Sequence, residues 1–299
     1  MTGRLVLALV AALSWLPRSF SQALGRVIGY YNYARNTRSA RVTRVNLELC
    51  FPEMDVDARE RLVRDSLENT GMTMMETPAA WFQSRERLLD WIVNVEGESL
   101  LSEPLSRGQG VIVLLPHIGN WELINMFCVP YGRQTGLYQP PRQVWLQEMM
   151  GYVRSRYGHD LVPTNRQGIS RLYKAVRDGG LVVVLPDQVP ASGLFVPFFE
   201  VPALTDQLTS RMIQKTGAVA LAVTIARRDD GRFDITFNPA DEAIYSDDLE
   251  KSVRAVNSTV ENCVLSYPSQ YQWEYKRFRE RPAGEEKLYQ FDKPGGVHD

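Results

Sequence analysis

The stretch "VIVLLPHIGNWE" (residues 111–122) is the strongest indication of the fold, because an apolar run in it leads into a polar turn. Its first five residues are apolar throughout, which is typical of a strand covered on both faces of a parallel sheet. His117 follows after Pro116, and Gly119 allows a tight turn into a predicted helix that begins near Asn120. This order places His117 beyond the carboxyl end of a strand, where open α/β sheets have their active sites.

Two more runs of the same kind follow, "LVVVL" (181–185) and "AVALAVTI" (218–225), and segments with helical spacing lie between the three. The alternation predicts an α/β fold with a mostly parallel central sheet flanked by helices. After a turn, "RFDITFNP" (232–239) is predicted to pair as an antiparallel hairpin. Residues 37–90 are predicted to be helical, with Asp55 or Asp57 as a helix cap.

Charge is nearly balanced, with 34 Lys and Arg against 35 Asp and Glu, and this balance does not indicate a nucleic-acid partner. The first 47 residues nevertheless contain seven arginines and no acidic residue. A basic segment on a near-neutral protein favours an anionic surface as its partner, most simply a membrane.

The apolar run "LVLALVAALSWL" (5–16) is shorter than the roughly 20 residues of a full membrane span. A secretory signal peptide and a core helix are two alternatives for it, but no A-x-A-like cleavage site follows. We favour a membrane anchor that spans or lies in the bilayer, with the arginines holding the body of the protein at the cytoplasmic face. The expected organisation is an anchor with an amphipathic helix (1–45), one α/β domain (46–281) and a flexible tail (282–299).

The three cysteines are far apart and form no C-x-x-C or Cys/His cluster, so we expect reduced, buried thiols and no metal site or cofactor. The chain also lacks a G-x-S-x-G elbow, a P-loop and a G-x-G-x-x-G motif. These absences disfavour a serine hydrolase and nucleotide chemistry.

His117 and Glu122 together suggest general-base chemistry. A mostly neutral imidazole at a sheet edge can accept a proton from a hydroxyl, and a carboxylate on the other ring nitrogen would fix the tautomer. The alternative is that His117 only caps or packs the turn. The spacing does not prove contact, because five helical positions lie about 140° apart.

Three motifs in order carry a family resemblance: "HIGNWE" (117–122), "PDQVPASGLFVPFF" (186–199) and "YQWEYKRFR" (271–279). Together they resemble the bacterial lipid A biosynthesis acyltransferases of the late lauroyl and myristoyl type, a branch of the lysophospholipid acyltransferase superfamily. The likeness runs from the amino-terminal segment to about residue 281.

The resemblance implies transfer of a fatty acyl chain from acyl carrier protein to a hydroxyl of a 3-hydroxyacyl chain on the Kdo-bearing lipid A precursor. It implies that His117 is the general base and Glu122 its orienting partner, and that Asp187 supports the site or positions the acceptor. Gly119 and Asn120 are expected to offer N–H donors to the thioester oxyanion. The 186–199 motif is expected to shape a loop over the site with Gly193, Val196, Pro197 and Phe198.

Phosphate groups on such an acceptor require cations, and arginine binds phosphate oxygens bidentately. The resemblance points to Lys276, Arg277 and Arg279 for this role, and we add Arg142 by proximity. The chain departs from the family pattern where the family commonly has arginine at Gln139, a second aspartate at Val189 and histidine at Tyr275. These departures leave the acceptor open. The length of the donor chain also stays open, because it depends on the depth of an apolar pocket whose lining residues the sequence does not assign.

Two alternatives follow. The first is an acyltransferase of the same superfamily that acts on a lysophospholipid or another glycolipid. The second is a membrane-binding scaffold that keeps the fold without catalysis, for which His117→Ala would leave the cellular phenotype unchanged.

Overall fold

A computed structural model describes residues 2–138 and 144–292. The α-helices are α1 (Thr2–Leu13), α2 (Arg18–Ala34), α3 (Arg38–Cys50), α4 (Val56–Phe82), α5 (Arg85–Leu89), α6 (Ser99–Ser106), α7 (Ile124–Phe127), α8 (Val144–Ser155), α9 (Arg166–Arg177), α10 (Leu208–Thr216) and α11 (Leu249–Ser266). The strands are β1 (Ile92–Glu96), β2 (Val111–Leu114), β3 (Gln134–Tyr138), β4 (Asp160–Pro163), β5 (Leu181–Val184), β6 (Leu194–Phe198), β7 (Val201–Thr205), β8 (Val219–Arg227) and β9 (Phe233–Pro239).

The central sheet has the strand order β1-β9-β8-β2-β5-β3-β4. Every neighbouring pair is parallel except β8 and β9, which form the predicted antiparallel hairpin. The three apolar runs are confirmed as β2, β5 and β8, and Val111 lies opposite both Leu181 and Val219. The predicted α/β class with a mostly parallel sheet is therefore confirmed.

Helices cover both faces of these central strands. Alternate residues of β2 enter two different apolar clusters, Val111 and Val113 on one face and Ile112 and Leu114 on the other. This arrangement explains the unbroken apolar runs, because each side chain of such a strand is buried whichever way it points.

The predicted cap of α4 is Asp55, whose carboxylate accepts from the backbone N–H groups of Asp57 and Ala58. The three cysteines are free and buried, as predicted.

Three strands of the sheet were not predicted from the sequence. β1, β3 and β4 lie at or next to the edges of the sheet and are four or five residues long. Each of them contains polar residues or glycine, so none has the apolar run that marks a central strand.

The segment expected to form a loop over the site is instead the antiparallel hairpin of β6 and β7. Its two-residue turn, Phe199 and Glu200, has positive φ at both positions, as a type I′ hairpin requires. Phe198 is buried in a core cluster, and the Phe199 ring lies 6.1 Å from that of Trp273. These two phenylalanines are thus packing residues.

The amino-terminal helix α2 crosses α4 at very short distance. A methyl group on Gly25 would lie 2.4 Å from the Gly71 carbonyl oxygen, so glycine is required at this crossing. The opposite side of α2 exposes an apolar stripe at three- and four-residue spacing. Its members are Phe20, Leu24, Val27 and Tyr31.

Within the described residues, no individual helix is long and apolar enough to cross a bilayer. Taken together, α1 and α2 have the length and composition of a membrane span, but the chain bends by 116° between them. The expected membrane anchor therefore stays a prediction.

The tail after Pro282 was expected to be flexible, and the structure corrects this up to Phe291. Tyr289 is buried, and its hydroxyl donates to Asn46 Oδ1 at 2.5 Å and accepts from the Phe278 amide at 3.1 Å. These contacts with residues distant in the sequence fix this part of the tail, and they could not be predicted from its amino-acid composition.

Candidate active site

His117 and Asp187 meet at the carboxyl ends of β2 and β5, two neighbouring strands of the sheet. The Asp187 carboxylate accepts two hydrogen bonds from the same residue. Its Oδ2 accepts from the His117 backbone N–H and its Oδ1 from the ring Nδ1, both at 2.8 Å. Both residues are buried. The predicted position of Asp187, at the same sheet edge as His117, is therefore confirmed.

The contact with Asp187 sets the tautomer of His117. An ionised carboxylate can only accept hydrogen bonds, so the proton lies on Nδ1 and the lone pair lies on Nε2. The side-chain amide of Gln188 lies 3.2 Å from that Nε2 and donates to it. The ring nitrogen that can take up a proton therefore faces an amide rather than a second carboxylate.

Electrostatics of the site favour the charged form of His117. Burial alone lowers the pKa of His117, but the charge and hydrogen bond of Asp187, with the charges of Glu122 and Glu274, outweigh burial and raise it. Burial likewise raises the pKa of Asp187, but the opposing charge and hydrogen bonds of His117 leave it below its usual value. The pair stabilises an imidazolium, which is the species that a general base becomes.

The expected pairing of Glu122 with the His117 ring is corrected by this geometry. The carboxylate on Nδ1 belongs to Asp187, 70 residues along the chain. Glu122 lies in a 3₁₀ turn (Trp121–Leu123), and its Oε2 accepts from the Asn125 side chain at 3.0 Å. It acts on His117 through its charge. The helix predicted to begin near Asn120 is this turn followed directly by the short helix α7.

The expected oxyanion donors are also corrected. The Gly119 amide donates to the Gln270 carbonyl at 3.0 Å, and the Asn120 amide donates to the Ile225 carbonyl at 3.2 Å. Asn120 is 0% exposed. Neither N–H group is therefore available to a thioester oxygen. Gly119 does make the predicted tight turn, with φ of 58°.

Trp121 lines two cavities next to the His117 loop, and its ring lies edge-on to the His117 ring with 4.7 Å between centroids. The larger cavity, about 390 Å³, lies between the amino-terminal helices and the His117 loop. It is lined on the helix side by Ile28, Asn32, Leu67, Thr70 and Met74, and on the loop side by Gly119, Gln272 and Glu274. The smaller cavity, about 90 Å³, is lined by Glu122 and by residues of β3 and β5. Trp121 thus contacts both the His117 ring and the cavity between the amino-terminal helices and the loop.

Arg277 was expected to bind phosphate at the surface, and the structure corrects this. Its side chain is buried and donates to the Leu204 carbonyl at 2.7 Å and to Thr205 Oγ1 at 2.9 Å. Its guanidinium also lies 5.4 Å from the Phe198 ring centroid. Arg277 therefore holds the β6–β7 hairpin.

The other expected cations differ in position. Lys276 lies over the aromatic rings of Tyr289 and Phe291, at 5.1 and 5.5 Å. Arg279 is exposed and its Nη2 lies 3.4 Å from the Val189 carbonyl oxygen, two residues after Asp187. Arg142 falls outside the described residues.

Two groups around His117 were missed at the level of sequence. Gln188 stands inside the quoted 186–199 motif beside Asp187, so its position was a usable signal. Trp121 lies inside the 117–122 motif, but an apolar residue at the start of a predicted helix is normally predicted to pack in the core.

The chain is similar to proteins of one known family along nearly its whole length. Residues 2–280 match the family model described as bacterial lipid A biosynthesis acyltransferase. The lauroyltransferase of lipid A biosynthesis from Escherichia coli K12 is 29% identical over 281 residues, covering 92% of this chain and 90% of that protein. The palmitoleoyltransferase of the same organism is 30% identical over 275 residues, covering 89% and 87%. Its myristoyltransferase is 25% identical over 289 residues, covering 94% and 88%. The chain therefore belongs to the bacterial lipid A biosynthesis acyltransferase family.

Proposed function

We propose that this acyltransferase moves a fatty acyl chain from an acyl-carrier-protein thioester to a hydroxyl of a 3-hydroxyacyl chain on the Kdo-bearing lipid A precursor. His117 acts as the general base. The observation that carries the proposal is the His117–Asp187 pair, in which Nδ1 is held at 2.8 Å and Nε2 carries the lone pair. Family membership supports the choice of acyl transfer.

The reaction proceeds without a covalent enzyme intermediate, since a thioester carbonyl is already activated. The acceptor hydroxyl displaces the Gln188 amide from His117 Nε2, and Nε2 takes the hydroxyl proton as the oxygen attacks the carbonyl carbon. The imidazolium formed is stabilised by Asp187. The C–S bond then breaks, and the departing thiolate takes the proton back from Nε2, which restores the neutral imidazole.

By their names, these relatives transfer lauroyl, palmitoleoyl or myristoyl chains. Sequence identities of 25–30% do not show which of these chains this protein transfers. For the acceptor phosphate we propose Arg279, whose exposed side chain lies beside the loop that carries Asp187. Arginine suits phosphate because its planar fork donates bidentately.

We also propose that the protein works at the cytoplasmic face of the inner membrane. The exposed stripe of α2 supports this, with Val27 and Tyr31 exposed by 65% and 60%. Apolar side chains in such a row gain free energy when they enter the interfacial region of a bilayer. The cavity beside His117 is bordered by Ile28 of the same helix, so a lipid acceptor can enter from the bilayer.

The test is mass spectrometry of the Kdo-bearing precursor after incubation with lauroyl, myristoyl or palmitoleoyl acyl carrier protein. Wild type and His117→Ala are compared at equal amounts of folded protein. We expect the precursor to gain the mass of one acyl chain with wild type, and His117→Ala to lose about 10²- to 10⁴-fold in rate. Equal rates would refute the base role.

A wild type that is folded but inactive on this precursor would direct the same assay to lysophospholipid and other glycolipid acceptors. If no acceptor gains mass, and if His117→Ala also leaves the cellular phenotype unchanged, the scaffold alternative is correct.

A further inference from the structure

Glu76 and Arg227 form an ion pair in the interior of the molecule, where neither side chain contacts the His117 ring. Glu76 is 0% exposed in the last third of α4, and Arg227 ends β8. Arg227 Nε donates to Oε1 at 2.9 Å and its Nη2 donates to Oε2 at 2.7 Å. A buried charge persists in a fold only when it is paired in this way.

Each oxygen of Glu76 accepts a second hydrogen bond from a different part of the chain. The Gln22 side chain of α2 donates to Oε1 at 2.7 Å, and the Asn120 side chain donates to Oε2 at 3.2 Å. Asn120 stands three residues after His117. One carboxylate therefore connects the stripe-bearing helix α2, the long helix α4, the strand β8 and the loop that carries His117.

Arg227 supports the same loop by a second route. Its Nη2 donates to Thr73 Oγ1 at 2.9 Å, and that hydroxyl donates to the Gly119 carbonyl, also at 2.9 Å. The Gln270 side chain accepts from the Arg227 amide at 2.6 Å and donates to the Arg227 carbonyl at 2.7 Å. The Gln270 carbonyl accepts from the Gly119 amide. Both polar groups of the Gly119 backbone are thus held by residues that Arg227 orders.

We propose that Glu76 and Arg227 are positioning residues for the acyl transfer: they place the 117–120 loop through Asn120 and Thr73, while Asp187 orients the ring. The proposal rests on the proposed function. Stability alone does not account for the pair, because well-packed apolar residues of similar volume stabilise a core as well or better. The need to hold the 117–120 loop in place does explain the pair, since a shift of about 1 Å in a catalytic group can lower the rate 10²-fold.

Removal of one partner would leave an unpaired buried charge and unfold the protein, so the test replaces both residues. The variant Glu76→Met with Arg227→Met keeps the volume and removes the charges. The control is Arg44→Met with Glu60→Met, which removes a bidentate pair of 2.7 and 3.0 Å between α3 and α4, remote from the loop. Asn120→Ala cuts only the link from Glu76 to the loop and leaves the ion pair intact.

Two readouts are measured on folded protein. The first is kcat and KM with acyl-carrier-protein thioester and lipid A precursor. The second is the rate at which diethyl pyrocarbonate modifies His117, followed by mass spectrometry with His159 as internal reference. We expect kcat to fall about 10- to 100-fold in the Met–Met variant at unchanged KM, with a smaller fall in Asn120→Ala. We expect His117 to be modified several-fold faster, whereas the Arg44–Glu60 control matches wild type in both readouts.

Wild-type kcat together with an unchanged modification rate in the folded Met–Met variant would overturn the proposal. If that variant does not fold, the same result in Asn120→Ala would overturn it. A wild type without acyl transfer would refute the proposed function instead, and the modification rate would still decide whether the pair positions His117.

Discussion

Asp187 holds His117 at two points, since one carboxylate oxygen accepts from its backbone N–H and the other from its ring Nδ1, each at 2.8 Å. One side chain at the end of β5 therefore sets both the course of the chain after β2 and the tautomer of the base. Loss of the carboxylate charge should impair catalysis more than folding, because Asn retains the shape of the side chain.

We predict that Asp187→Asn lowers kcat by about 10²- to 10⁴-fold, because an amide in this place can present N–H to Nδ1 and favour the wrong tautomer. Steady-state acyl transfer with lauroyl acyl carrier protein measures this. The matched control is Asp178→Asn, an exposed aspartate after α9 that is bonded to Lys174. A kcat for Asp187→Asn equal to that of the control would contradict the role of the pair.

The pH profile should report the raised pKa of His117. The protonated ring cannot act as a base, so kcat/KM should increase with pH and level off above the pKa of the free enzyme. Because the pKa is raised from 6.5, half of the maximum should be reached above pH 6.5. Asp187→Asn removes the main charge that raises this pKa, so its half-maximum should move to lower pH. A profile that does not move would show that another group titrates.

Gln188 should lower the pKa of His117, which is the opposite of the effect of Asp187. Its amide donates to neutral Nε2 at 3.2 Å and so favours the uncharged ring. Gln188→Met removes the donor at similar volume, and we expect the half-maximum of kcat/KM to move to higher pH. Gln270→Met is unsuitable as a control because Gln270 holds the loop, whereas Gln214→Met on α10 is remote. A shift to lower pH in Gln188→Met would contradict the assigned direction of the hydrogen bond.

Gly119 should tolerate no side chain. A methyl group there would lie 2.0 Å from the Ile225 carbonyl oxygen, and the φ of 58° already disfavours other residues. Gly158 offers a matched control, because its φ is 71° and a methyl group would meet nothing within 4 Å. We expect Gly158→Ala to cost about 1–2 kcal/mol of stability and Gly119→Ala to cost more. Chemical denaturation compares the two variants, and equal losses would show that the close approach to Ile225 is unimportant.

The stripe on α2 predicts membrane binding. Phe20→Glu with Val27→Glu places two charges on side chains exposed by 57% and 65%, so the fold should survive while affinity for vesicles of inner-membrane phospholipids falls. Val56→Glu, at a position exposed by 62% at the start of α4, is the control. Sedimentation with vesicles measures the bound fraction. If the double variant sediments as wild type does, the stripe is not the membrane contact.

The local sequence was sufficient to predict the three central strands of the sheet. The runs at 111–115, 181–185 and 218–225 became β2, β5 and β8, because β-branched apolar residues favour strands and their unbroken order requires cover on both faces. The edge strands β1, β3 and β4 were missed, since partly exposed strands carry mixed residues. The hairpin of β6 and β7 was not predicted from the sequence, because its two-residue turn, Phe199 and Glu200, contains neither Gly nor Asn, the residues that usually mark such a turn.

The position of His117 at the carboxyl edge of a parallel sheet could be predicted from the sequence, and so could that of Asp187 at the same edge, because both come just after central strands. The three-dimensional fold was needed to show that β5 pairs next to β2, which brings Asp187 rather than Glu122 to the ring of His117. The fold also shows that Arg277 and Asn120 are interior residues. Strand order and burial arise from contacts between distant segments, and local residue preferences do not encode those contacts.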